Sequence, residues 1–336
     1  MNVLITGAAG GIGSTLCLLL KRKGHNVFGL DNLNNGYKEN LFENGEQICE
    51  FIEMDIRETD KLRQFLQEKQ IDSVVHLAAL TSLPECESNP AECISVNVGG
   101  TASVLNAARF GGQHVIVAST SAIYENNSKA QAPFMEEIEV KPRLFYPLSK
   151  KLMEETITSY IKNYKMNITT LRFFNVFGPR QDIHRKSPPL INYIVREVKN
   201  DRKMTFYSNG FQMRDYIHVD DVANMIEVCL NKKYSEIFNV CTGTLTSVRD
   251  IIKYAKKAFD KKIDYSFEPS VNFWNNYGSL YEGKCHLDNS VLDNEVNKFA
   301  LGSTSKSKLL LGWEPNKNIE SLMIQTMREN YERYSK

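Results

Sequence analysis

The sequence predicts an α/β fold, a doubly wound parallel sheet with a smaller, mixed region after it. Three observations carry this. Short apolar runs alternate with amphipathic stretches through the first half of the chain, and a glycine cluster separates the first such pair. Beyond Gly178-Pro179 the alternation stops, and the tail is richer in Asn, Ser and aromatic residues. Strands joined by helices require a parallel sheet covered on both faces. Strands buried on both faces are apolar throughout.

The elements follow in order. The run at residues 3–5 meets Gly7-Ala8-Ala9-Gly10-Gly11-Ile12-Gly13, and an amphipathic helix starts near Ser14. Strand, tight glycine turn and helix in that order build a Rossmann-type site for a dinucleotide pyrophosphate. Gly7 takes a backbone conformation closed to other residues, Gly10 lets the ligand approach the main chain, and Gly13 lets helix and strand pack closely. Gly11 and Ile12 belong to the same turn, where free N–H groups face the phosphates. The next run, 27–30, ends at Asp31-Asn32. An acid there suits ribose hydroxyls and repels a 2′-phosphate, which selects NAD over NADP. Residues 51–54, 74–77, 115–118 and 169–173 are further strands, with helices at 59–69, 97–109 and 149–164. Residues 1–174 thus form an NAD-binding Rossmann domain, to which the chain returns around 215–241. Residues 175–336 form mainly a substrate-binding region, in which the polar, proline-ended stretch 182–189 reads as a surface loop.

Composition narrows the function classes. The 336 residues carry 41 basic and 40 acidic side chains, a net charge of +1, with no basic run that fits a nucleic-acid footprint. Seven scattered cysteines form no C-x-x-C pair and read as free thiols of a reducing compartment. The opening apolar stretch is too short for a signal segment, and no run approaches the roughly 18 apolar residues of a membrane span. These features predict a cytoplasmic protein with neither nucleic-acid nor membrane partners, and with no metal.

Tyr146-Pro147-Leu148-Ser149-Lys150 supplies a Tyr-x-x-x-Lys pair. Residues four apart share a helix face, so the Lys150 ammonium is expected beside the Tyr146 ring. A positive neighbour favours phenolate and lowers a tyrosine pKa from its usual value of about 10. With the charge of a bound nicotinamide added, Tyr146 becomes a candidate general base. The strand ending at Ala118 delivers Ser119, Thr120 and Ser121 to the crevice end of the sheet. One hydroxyl there is suited to hold a substrate hydroxyl in line with Tyr146; ordinary turn capping by Ser and Thr is the other reading.

Together these residues make the chain resemble an extended short-chain dehydrogenase/reductase of the NAD-dependent sugar-nucleotide epimerase/dehydratase group, closest in pattern to the 4-epimerases. The resemblance runs from Met1 to about Trp313. It rests on the glycine loop, Asp31-Asn32, Asp55-Ile56, His76-Leu77-Ala78-Ala79, Asn97-Val98-x-Gly100-Thr101 and Tyr146-x-x-x-Lys150. Arg172 to Gln181, Arg214-Asp215-Tyr216-Ile217-His218 and Leu311-Gly312-Trp313 complete it.

The resemblance implies roles. Asp55 and Ile56 would flank the adenine. Leu77, Ala78, Ala79 and Thr81 would line the cofactor channel, with Asn97 and Phe174 also near the cofactor. Thr120 would share the sugar O4 proton with Tyr146, Ser121 would touch the sugar, and Asn175 and Arg214 would hold sugar and diphosphate. Ala300, counted back from Trp313, would leave room in the sugar pocket. The implied substrate is a nucleotide-diphosphate sugar, epimerised at C4 through a transient 4-keto intermediate. Related dehydratases carry Asp-Glu directly after the Thr; this chain has Ser121-Ala122. A C4 dehydrogenase or reductase, a 4,6-dehydratase and a non-catalytic NAD-binding scaffold are the alternatives. Helices 97–109 and 146–164 are the pair through which relatives form homodimers.

Overall fold

The computed structural model describes residues 1–127 and 133–334. Its centre is a seven-stranded sheet: β1 (Asn2–Thr6), β2 (Asn26–Asp31), β3 (Glu50–Glu53), β4 (Ser73–His76), β5 (His114–Thr120), β6 (Ile168–Phe173) and β7 (Ile237–Val240). The spatial order is β7-β6-β5-β4-β1-β2-β3, and every pairing is parallel. The order reverses between β1 and β4, and a crevice opens there at the carboxyl ends of the strands.

Side-chain alternation explains the apolar strands. Val3 and Ile5 of β1 point into one core with Leu16, Leu20, Val222 and Ile226. Leu4 points into the other, with Leu62, Phe65, Leu105 and Met153. Helices α1 (Gly11–Arg22) and α5 (Val219–Lys232) therefore cover one face. Helices α2 (Thr59–Glu68), α3 (residues 90–108) and α4 (Phe145–Tyr164) cover the other.

Two helices start earlier than periodicity predicts. Helix α3 starts at Pro90, because the Asn89 side chain accepts from the Glu92 N–H and proline suits a first-turn position. It then widens into a π-turn over Ser95–Gly100. Helix α4 starts at Phe145, which puts Tyr146 in its first turn.

The C-terminal region is smaller and mixed. Asn175–Phe177, Met213–His218 and Leu245–Ser247 form one sheet with parallel and antiparallel pairs; Met204–Tyr207 and Tyr265–Glu268 form a second. A third core around Ile194, Val195, Ile251 and Met323 joins them to three helices. No helix among the described residues is long and apolar enough to cross a membrane.

Two buried histidines are expected to make the fold acid-sensitive. The Thr101 hydroxyl donates to the Asn97 carbonyl (2.7 Å), so it accepts from His76 Nε2 (3.0 Å), leaving Nδ1 to accept from Thr6 Oγ1 (2.7 Å). Burial holds this imidazole at about 3, and burial holds His114 at about 4. From the ordinary value of 6.5 down to about 4, the unfolded chain binds these protons and the folded chain does not. Stability is therefore expected to fall as pH falls through that window. A His76→Gln protein should show a slope shallower by about 1.4 kcal/mol per pH unit. Urea midpoints taken across the window measure it; parallel slopes would refute the assignment.

Candidate active site

A cleft of about 1040 Å³ runs along the carboxyl ends of the strands and is walled by both regions. At one end the glycine loop sets its shape. Gly7 has φ of +73°, and a Cβ on it would lie 2.8 Å from the Ala78 nitrogen. A Cβ on Gly13 would lie 2.1 Å from the Gly7 oxygen. Both positions are closed to any larger residue, so the turn brings bare backbone to the cleft. Gly10, Gly11 and Ile12 line it at the start of α1.

Asp31, at the tip of β2, accepts from the N–H groups of Ala9 (3.0 Å) and Leu33 (2.9 Å), and burial pushes its carboxyl up. Asp55 accepts from Asn32 Nδ2 (3.2 Å) and from Arg57 Nε and Nη2 (both 2.9 Å). The Arg57 hydrogen bonds hold its carboxyl at about 2. Asn32, Ile56, Leu77, Ala78, Ala79, Thr81 and Phe174 stand along the same half. This wall, two carboxylates over a bare glycine turn, fits the ribose and pyrophosphate of NAD.

The middle of the cleft holds Tyr146, Lys150 and Thr120. Burial pushes the Tyr146 phenol up to about 12, with the Thr120 hydrogen bond and the Arg185 charge acting the other way. Lys150 donates from Nζ to the Ala118 carbonyl (2.8 Å), and burial pulls its ammonium down to about 8. The expected depression of the phenol is thus not found. Helical spacing puts the two on one face, but desolvation outweighs a neighbour turned toward a strand carbonyl.

At the far end, Asn175 and Arg214 line the cleft. The Arg214 guanidinium donates to the carbonyls of Lys298, Glu295 (2.7 Å) and Val296 (3.4 Å), at the end of the helix Asn289–Asn297. Three expected site residues do not line the cleft. Asn97 lies behind its wall, donating to the Leu80 carbonyl (2.9 Å) and Ser149 Oγ (2.9 Å) and accepting from the Leu80 N–H (2.8 Å). It ties the loop after β4 to α4. Ser121 is buried where the chain turns into a short 3₁₀ segment. Ala300 is buried among Tyr124, Phe134, Phe174 and Cys241, its backbone paired with Met213 and Asp215. Counting from Trp313 locates a residue along the chain but does not tell which way its side chain turns.

The stretch 182–189, expected as a surface loop, is a wall of the cleft. Asp182 accepts from the Tyr37 hydroxyl (2.6 Å), which pins the loop across the cofactor half. The loop carries Arg185 close enough to act on Tyr146. Its charge was the available signal, together with its position directly after Gly178-Pro179-Arg180-Gln181. Tyr207, Gln212 and Phe273 at the far end carried no sequence signal of their own.

Comparison with known proteins agrees with this geometry. The model of the NAD dependent epimerase/dehydratase family matches residues 3–241. A UDP-glucose 4-epimerase of Mycolicibacterium smegmatis is 30% identical over 318 residues, 94% of either chain. A UDP-glucuronate 4-epimerase of Thermodesulfobacterium geofontis is 28% identical, covering 98% of this chain and 97% of its own. The crystal structure of a Thermotoga maritima UDP-glucose 4-epimerase with UDP-glucose superimposes with a TM-score of 0.84 at 26% identity, over 100% of this chain and 99% of that one. A Thermus thermophilus UDP-glucose 4-epimerase at 25% identity was crystallised with NAD. This chain therefore belongs to the NAD-dependent epimerase/dehydratase family and is a nucleotide-sugar 4-epimerase-family enzyme with NAD as its cofactor.

Proposed function

We propose that the protein inverts C4 of a nucleotide-diphosphate sugar, with Tyr146 as the base. The carrying observation is the make-up of the cleft centre. The hydroxyls of Tyr146 and Thr120 meet there, and the two residues after Thr120 are Ser121 and Ala122. The charged or thiol groups that act most on Tyr146 are Cys86, Cys93 and Arg185, none of them a carboxylate. Elimination of water needs an added acid and base; proton exchange at one hydroxyl needs only the phenol.

When bound, NAD supplies an acceptor for the C4 hydride and returns it. The chain's part is proton handling and positioning. Tyr146 takes the proton of the C4 hydroxyl, and Thr120 shares that hydrogen bond. Once the resulting 4-keto sugar has turned to present its other face, Tyr146 returns the proton to the C4 oxygen, so the sugar is inverted but neither oxidised nor reduced overall. Lys150 supplies the positive charge a phenolate needs in a buried site. Arg214 and Asn175, which line the far end of the cleft, are the groups proposed to hold diphosphate and sugar, since a guanidinium binds phosphate oxygens in pairs. A two-fold pair through α3 and α4 is part of this proposal. Phe110 and Tyr164, 52% and 55% exposed, stand at the ends of those helices beside Arg109.

Incubation of the purified protein with UDP-, GDP-, CDP- and dTDP-sugars, followed by mass spectrometry and proton NMR, tests the reaction. A stereoisomer of unchanged mass is expected; loss of water, carbon dioxide or two hydrogens would replace the assignment with dehydratase, decarboxylase or oxidase. Tyr146→Phe should lower kcat by about 10²–10⁴-fold with NAD retained; turnover near wild type would remove Tyr146 from the mechanism. Asn97→Ala leaves the Leu80 N–H and carbonyl without that partner. A stability loss of about 1–3 kcal/mol is expected, together with a fall in kcat larger than any change in KM. A rise in KM alone would place Asn97 in binding instead.

A further inference from the structure

Glu154 is a buried carboxylate, 6% exposed, that the chemistry above does not use. It follows Tyr146 and Lys150 at the same four-residue step, so phenol, ammonium and carboxylate stand along one face of α4. Its Oε1 accepts from Ser119 Oγ (2.6 Å) and Arg172 Nε (3.0 Å), and its Oε2 from Arg172 Nη2 (2.8 Å). Arg172 is held in turn by the Tyr124 hydroxyl (2.7 Å) and the Glu136 carbonyl (2.8 Å).

Three consecutive residues at the end of β5 thereby engage three successive turns of the helix. Thr120 meets Tyr146, the Ala118 carbonyl takes the Lys150 ammonium, and Ser119 takes Glu154. A buried ion pair contributes little net stability over an apolar pair of the same shape. Its location one turn from Lys150 gives it a use that packing does not.

We propose that Glu154 is a positioning residue: clamped by Ser119 and Arg172, its carboxylate keeps the Lys150 ammonium charged and seated on the Ala118 carbonyl. The proposal rests on the reading of Tyr146 as a base, because a phenolate needs that charge. Burial works against it, and the groups that oppose burial are Cys93 and Cys86 from residues 83–94 and Glu154 from α4. His76 of β4 also faces Lys150 but stays neutral, held at about 3 by burial. Arg172 of β6 is paired with the Glu154 carboxylate.

The test follows Lys150 directly, by side-chain ¹⁵N NMR across pH in the NAD-loaded protein, with the signal assigned through Lys150→Met. Glu154→Gln should move the Lys150 midpoint to lower pH, and Ser119→Ala, which keeps the charge, should move it less. The alkaline limb of kcat should follow, with a loss of about fivefold near pH 8 and little change about two pH units lower. Arg172→Gln with Glu154→Gln removes both buried charges and serves if the single variant does not fold. A merely structural pair predicts that this double variant recovers the wild-type midpoint; that result, or an unmoved midpoint in Glu154→Gln with only the melting temperature lowered, overturns the proposal. Repeating Glu154→Gln with Cys93→Ser separates the thiol, and a Glu154 effect that vanishes there also overturns it. A moved midpoint in a protein without epimerase activity would leave this proposal standing and remove only the assigned reaction.

Discussion

The seating of α4 on the end of β5 is the constraint on which the site depends. Tyr146 lies in the helix's first turn and Lys150 in its second, so a small sliding of the helix would carry both out of the cleft. Three kinds of contact resist sliding. Lys150 is bonded to the Ala118 carbonyl, Glu154 to Ser119 and Arg172, and Ser149 to Asn97, which also holds Leu80 on the cofactor wall. Each is a buried polar contact, and a buried donor or acceptor that loses its partner forfeits the cost of its desolvation. Apolar packing from Met153 and Ile157 against the sheet tolerates a shift more readily than these bonds do.

The electrostatics of the cleft come from local groups, in keeping with a net charge of only +1. At the cofactor end, Asp31 and Asp55 stand on different strand ends with different partners. The first is bonded to backbone N–H groups and burial pushes it up; the second is drawn down by Arg57. At the other end Arg185, Arg196 and Arg214 stand among aromatic side chains. Acid at one end of the cleft and base at the other is a division a single global field does not supply.

How much of this was legible depended on whether the information was local. The glycine loop was legible because Gly7 and Gly13 answer steric demands made within a few residues or by one neighbouring strand. Tyr146 and Lys150 were legible because four-residue spacing fixes a helix face. Asn97, Ser121 and Ala300 are located along the chain by their motifs, but spacing does not encode which way their side chains turn, and the fold sets all three behind the cleft's lining. The start of α3 was missed because its first turn shows no apolar periodicity, although Asn89-Pro90 is a helix-start signal in its own right. The polarity of 182–189 marks a surface loop, and it is a loop, but polarity does not show that it also walls the cleft. That polarity faces a cleft, and a cleft built for a charged ligand has the composition of a surface.

The protonation of the central pair carries the last step. A phenol pushed up to about 12 and an ammonium pulled down to about 8 form the reverse of the order that would hold a phenolate beside a lysinium. Below about pH 8 the ammonium is charged and the phenol neutral, so the phenolate is the member of the pair that burial opposes most. Any added positive charge nearby favours the phenolate, and any negative charge on the Lys150 side favours the ammonium. Both changes move the pair toward the same ionised state, so their effects reinforce one another. Glu154 is built permanently into the second position, and Arg185 reaches the first from a loop that Tyr37 ties down. Under the proposed reaction, a phenol held at about 12 by burial ionises only with the help of such charges.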